Sequence, residues 1–241
     1  MNIALYVVAI LTPFMMDQSS ARKSYKEVAV ADGGSIVGSL KIEGEPPKPK
    51  RLDVATKEDV CHADPIYSEK LVVSKERGVQ WAVVSIKKID TGKPFSKKNK
   101  PTMDQKGCVF RPHVSLVPAR KNLLVKNSDG VLHNVHTHSK KNKPRNVGMP
   151  GPVKEIKLKF RRPETLRVTC DVHEWMEAWI VVTEHPYYVT TNAKGEFSLT
   201  DVPPGSYTLR LWHESLGVVE KPVTVKAGEK ARVDFAMKVS S

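Results

Sequence analysis

The sequence is short of the features that mark most enzymes and membrane proteins. Its one long apolar stretch covers residues 3–16, is interrupted by Pro13 and falls short of the ~20 residues a membrane span needs. No other stretch could cross a bilayer, and none keeps a helical apolar period over three turns. There is no G-x-S-x-G elbow, no H-E-x-x-H and no phosphate-cradling glycine loop, and carboxylates pair only in scattered form. The chain therefore reads as a non-enzyme. Aromatic residues are only 7% and do not interleave with basic clusters, which argues against a stacking platform for nucleic acid. Cysteine is scarce too: Cys61, Cys108 and Cys170 are an odd set, so one thiol is left without a partner.

What is present suits a globular protein with an ordinary core, at 40% hydrophobic and 27% charged residues. A length of 241 residues admits one large domain or two smaller ones. Thirty-nine Lys and Arg against 26 Asp and Glu leave a formal charge of +13, which attracts anionic partners. An acidic protein or an anionic lipid face fits better than nucleic acid, because the basic residues are spread along the whole chain. Small residues at Ser19, Ser20 and Ala21 follow the first apolar run, so residues 1–21 read as a secretory signal. The run lacks a preceding Lys or Arg, and a short anchor is the alternative. Export implies a periplasmic or otherwise extracytoplasmic location. There the simplest division of the cysteines pairs Cys61 with Cys108 and leaves Cys170 for chemistry; a free Cys61 is the other option.

The pattern is strand-like throughout. Runs rich in Val and Ile at 35–42, 70–74, 79–86, 114–117, 123–126, 155–160, 166–169 and 178–183 are bounded by Gly, Pro, Asn and Asp. Such spacing predicts an all-β sandwich or barrel. The stretches 45–51, 93–100 and 140–145 read as solvated, charged loops. Beyond residue 184 the alternation of strand and turn continues, with turns at 192–195 and 203–205. Gly195, Phe197, Leu199, Val202, Pro203, Gly205, Tyr207 and Leu209 fit a G-x-F-x-L…V-P-x-G-x-Y-x-L pattern. Over about fifty residues it resembles the carboxypeptidase-regulatory-like, transthyretin-like β-sandwich modules. That resemblance implies a small structural module over 185–239 without chemistry of its own.

The sharpest chemical signal is Cys170-Asp-Val-His173-Glu-Trp-Met176. One loop between two strands can bring a thiolate, an imidazole and a thioether to a point. Cys and Met are soft donors and His is intermediate, a set that suits copper better than hard cations. Two imidazoles, one thiolate and a weak axial Met make the blue-copper arrangement, and the second imidazole has to come from elsewhere. The segment Asn127-Ser-Asp-Gly130-Val-Leu-His133-Asn134 supplies a candidate in His133.

The two segments together resemble the cupredoxins, with N-x-x-G-x-x-H-N early and C-x-x-H-x-x-M late; the late loop is similar to that of the amicyanin branch. The resemblance implies a Greek-key sandwich over 34–184 that binds copper through His133, Cys170, His173 and Met176. It implies one-electron transfer between redox partners, with Asn134 bonding across to the cysteine-bearing loop. An acidic redox protein such as a cytochrome is the partner expected for a basic carrier. The chain from about Gly34 onward further resembles bacterial exported proteins described as methylamine-utilisation-like or plastocyanin-like, which join a cupredoxin-like unit to a regulatory-like tail.

Extra donors surround the motif: Cys108, His113, His136, His138 and Met149. They leave room for a red-type or two-metal site. His136 and His138 share a strand face that His133 does not, and read as rim histidines. His113 is a possible ligand only if Cys108 is not in a disulfide. Trp175 and Trp179 read as aromatic cover over the loop, and His213 and Glu214 as a contact between domains. Two other functions compete with electron transfer: copper binding and delivery, and a metal-free polysaccharide- or protein-binding β module.

Overall fold

The computed structural model describes residues 24–98 and 100–239, so the expected signal over 1–21 lies outside the described residues. The chain is all-β, and the only helical element among the described residues is a single 3-10 turn, Asp59–Cys61. Two sandwich units account for nearly all the strands.

In the first unit a five-stranded sheet runs in the order Arg145–Met149, His133–His138, Glu164–Thr169, Glu177–Thr183, Val114–Pro118. It faces a four-stranded sheet ordered Glu155–Lys159, Asn122–Asn127, Thr102–Gln105, Phe110–Arg111. The alternation of the sequence decides which side chains enter. In Glu164–Thr169, Leu166 and Val168 point inward and Arg167 outward. In Asn122–Asn127, Leu123 and Val125 enter, and Asn127 continues the same inward face as a polar residue. The interior joins Met103, Phe110, Val125, Val135, Leu166 and Ile180 to Cys170 and Met176. At ~1.5–3 kcal/mol per fully buried large apolar side chain, this cluster is what holds the two sheets face to face. The Cys61–Cys108 disulfide ties the 3-10 turn to the second sheet across 47 residues, worth about 4 kcal/mol in the chain-entropy picture.

The second unit is not contiguous in sequence. One sheet runs Tyr188–Thr190, Val83–Ile86, Gly205–His213, Gly217–Val225; the other runs Glu196–Val202, Gly34–Glu43, Lys230–Arg232, with Phe235–Lys238 also paired to Gly34–Glu43. A cut at residue 184/185 therefore does not describe the pairing. Gly34–Glu43 and Val83–Ile86, expected in the first unit, complete the sheets of the second. The physical reason is burial: Ile36, Leu40, Val84 and Ile86 share a core with Phe197, Leu209, Leu211 and Phe235. The expected strand at 70–74 is reduced to a single bridge, Val73 to Val79.

The two units meet along an apolar seam. Val114 and Val181 of the first pack on Val83 of the second, with Trp81, Leu116, Trp179, Tyr188 and Trp212 around them. Trp179 and Trp212 stand edge to face with centroids 5.1 Å apart. At the same seam His113 Nε2 is hydrogen-bonded to Glu214 Oε1, both side chains being largely buried.

Candidate metal centre

The centre lies where antiparallel strands bring the end of Glu164–Thr169 beside the start of His133–His138. Thr169 pairs with His136, so the next turn of chain falls beside Asn134 and His133. Each piece has a local cause. Asn127 closes the turn before His133: its Nδ2 donates to the carbonyls of Val131 and Met149, both at 2.8 Å, and its Oδ1 accepts from the Asp129 amide at 3.2 Å. Gly130 takes φ +76°, a conformation an L residue adopts only under strain. The ligand loop closes on itself, with Met176 N donating to His173 O at 2.9 Å and Cys170 N to Met176 O at 3.2 Å.

Among the described residues two groups of donors converge closely enough to share an ion. One is His133, Cys170 and His173, whose ligand atoms all lie within 4.8 Å of one another. The other, Cys108, Asp129 and His133, is spent, because the Cys108 sulfur is in the disulfide. In the first group His133 Nδ1 and His173 Nδ1 face each other at 2.9 Å, and Cys170 Sγ lies 3.9 Å from His173 Nδ1. All three side chains are at most 2% exposed. Met176 is fully buried in the same core.

The electrostatics of the three side chains follow from this crowding. Burial disfavours a charged His133, but the hydrogen bond to Asp129 and then the Cys170 sulfur outweigh it and hold its pKa up at about 9. Burial would raise the Cys170 thiol, yet His133 and backbone hydrogen bonds from Asn134, His173 and Val172 bring it below its usual value. His173 is pushed down by burial and by the charge on His133. The His133 ring and the Cys170 sulfur thus each favour the charged form of the other at the point where a cation could sit. Two ring nitrogens and a cysteine sulfur within 4.8 Å of one another, all buried, form a donor set of the kind that fits a copper ion.

Asn134 lies beside the cysteine-bearing loop. Its Oδ1 accepts from the Asp171 amide at 2.6 Å, and its Nδ2 donates to Asn146 Oδ1 at 2.6 Å and Asp171 Oδ2 at 3.0 Å. The additional donors named from the sequence are occupied otherwise. His113 faces Glu214 at the seam, and His136 Nδ1 lies 3.0 Å from Asp171 Oδ1 on the outer face. Met149 sits opposite His133 on the neighbouring strand, but its sulfur accepts from Gln105 Nε2 at 3.1 Å. His136 and His138 stack at 4.4 Å on the rim. Trp175 covers the centre, its ring 5.0 Å from that of His173 and its Nε1 donating to Cys108 O at 3.0 Å.

One participant escaped the sequence. Asp129 accepts from His133 Nε2 at 2.9 Å and its side chain is only 2% exposed. In Asn-Ser-Asp-Gly it looks like an ordinary turn residue. The one available signal is its place four residues before His133.

Comparisons with known proteins give one family match and several similar solved structures. Residues 177–238 match the carboxypeptidase regulatory-like domain family. The match starts at the strand Glu177–Thr183, which pairs within the first unit. None of the curated proteins matches the chain. Similar solved structures include a Cu-containing nitrite reductase from Thermus scotoductus SA-01, at 18% identity and TM-score 0.33 over 37% of this chain. The chain spans only 23% of that protein. A purple cupredoxin from Nitrosopumilus maritimus is similar at 15% identity and TM-score 0.30, over 34% of this chain and 98% of its own. A reduced amicyanin variant is similar at 18% identity and TM-score 0.32, over 42% of this chain and 98% of its own.

Proposed function

We propose that this chain is an exported copper protein that carries one electron at a time between redox partners. The observation that carries the proposal is the convergence of His133 Nδ1, His173 Nδ1 and Cys170 Sγ in a dry pocket. His133, His173 and Cys170 would hold the metal and Met176 would approach it as a weak fourth donor. Bound copper would supply a Cu(I)/Cu(II) couple. The protein's part is to hold the donors so that neither oxidation state demands a rearrangement. The loop bonds of Cys170 and Met176, the Asn134 clasp and the Trp175 cover do this, and burial excludes water and competing ligands. No catalytic role is proposed. Among the described residues no helix is long and apolar enough to cross a membrane, and the Cys61–Cys108 disulfide suits an extracytoplasmic compartment.

Titration of the full chain with copper tests the proposal. One equivalent of Cu(II) should bind and give an intense visible thiolate-to-copper band, and Cys170→Ser should abolish that band. A colourless protein, or a band that survives Cys170→Ser, contradicts it. Reversible voltammetry separates a carrier from a delivery protein, which would hold Cu(I) without a reversible wave.

A further inference from the structure

The Asp129 carboxylate is bound on three sides. Its Oδ1 accepts from Gly107 N at 2.6 Å, and its Oδ2 accepts from Cys108 N at 2.9 Å and from His133 Nε2 at 2.9 Å. A buried carboxylate without such donors would be costly, and these three satisfy it. Both amides come from the turn between Thr102–Gln105 and Phe110–Arg111, where Gly107 has φ +65° and Cys108 φ +52°. Two successive left-handed residues, with Lys106 N bonded to Val109 O at 3.1 Å, form the tight hairpin turn that aims its central amides outward together. Glycine adopts that conformation freely, but cysteine does so at a cost of ~1 kcal/mol or more. Here Cys108 is also tied to Cys61. The same Cys108 peptide supports the second imidazole, because its carbonyl accepts from Trp175, whose ring lies against His173.

We propose that Asp129 is a positioning residue that fixes the tautomer and donor strength of His133, and that the disulfide-tied turn at Gly107–Cys108 holds Asp129 in place to do so. A carboxylate on the outer N–H keeps the proton on Nε2 and turns Nδ1 toward Cys170 and His173. It also lends the ring negative charge, which favours the more highly charged state of a bound metal. The redox part rests on the copper proposal; the tautomer part does not.

The test compares wild type with Asp129→Asn, which preserves size and one acceptor oxygen but removes the charge. In the copper-loaded full chain, Asp129→Asn should retain the visible band while Cu(II) affinity falls at least tenfold relative to Cu(I). A tenfold change is a rise of about 59 mV in reduction potential for one electron. An unchanged potential with the band intact overturns the proposal and leaves Asp129 only a structural role. If wild type binds no copper, the copper proposal fails separately. Long-range ¹H–¹⁵N spectra of metal-free wild type still decide the positioning. With the His133 ring neutral, its proton should reside on Nε2, and a proton on Nδ1 overturns the proposal whether or not the variant folds.

Discussion

At the scale of single residues, the structure gives polar side chains duties that a local reading assigns to solvent. Glu164 is the plainest case outside the candidate metal centre. Its carboxylate accepts from Ser139 Oγ and Lys140 N, each at 2.5 Å, and from Lys141 N at 2.9 Å, with Asn142 alongside. Burial would raise its pKa, but the bonds from Ser139, Asn142 and the two lysine amides bring it down to about 2. The folded value is below the unfolded one near 4.5. The stabilisation is therefore complete above that unfolded value and lost as pH falls from it through about 2. Glu164→Gln should thus lower the thermal midpoint by a constant amount near neutral pH. The gap from wild type should close between about pH 4.5 and 2. A gap independent of pH would mean the charge contributes nothing.

Elements were legible where alternation is local. The strands at 114–118, 122–127, 155–159, 164–169 and 177–183 follow the Val- and Ile-rich runs almost residue for residue. The turn at residues 192–195 follows from Asn192 and Gly195, where the Asn192 side chain accepts from Lys194 N and Glu196 N at 2.9 and 3.0 Å. Gly195 has φ +77°, and a Cβ there would meet Leu40 O at 2.4 Å and Val79 N at 2.7 Å. Gly195→Ala should therefore cost ~2 kcal/mol or more, since left-handed strain adds to a clash with backbone that cannot rotate away. Chemical denaturation measures this, and a loss under ~0.5 kcal/mol would contradict the packing. The 70–74 run failed as a strand because a hydrophobic run makes a ladder only where a partner strand lies alongside, and there only Val79 bridges to it.

At the scale of the whole molecule the two units are interlocked. The C-terminal sheets depend on Gly34–Glu43 and Val83–Ile86, so residues 185–239 alone would lack one central strand from each sheet. Expressed alone, that fragment should show no cooperative thermal transition and poor amide dispersion. A folded fragment would contradict the pairing. The seam of Val83, Val114, Val181 and the Trp179–Trp212 pair, with the His113–Glu214 bond, should make the full chain unfold in one transition. The charge of +13 belongs to this scale as well. If the chain carries electrons as proposed, their transfer to an acidic partner should slow steeply as ionic strength rises, and a rate insensitive to salt would rule out electrostatic docking.

The sequence by itself determined the all-β class, the inward and outward faces of most strands, and the compact Cys170–Met176 loop. Each of these depends on residues within one or two turns of chain, where spacing alone decides which side chains meet. Only the tertiary structure decided that His133 Nδ1 faces His173 Nδ1, and that Asp129 backs His133 from a turn anchored by Cys108. Tertiary structure also assigned Gly34–Glu43 to the distant C-terminal sheets, and His113 to Glu214 rather than to the candidate metal centre. Those contacts join residues far apart in sequence. Local pattern cannot specify such pairings, because packing and burial select them only once the whole chain has folded.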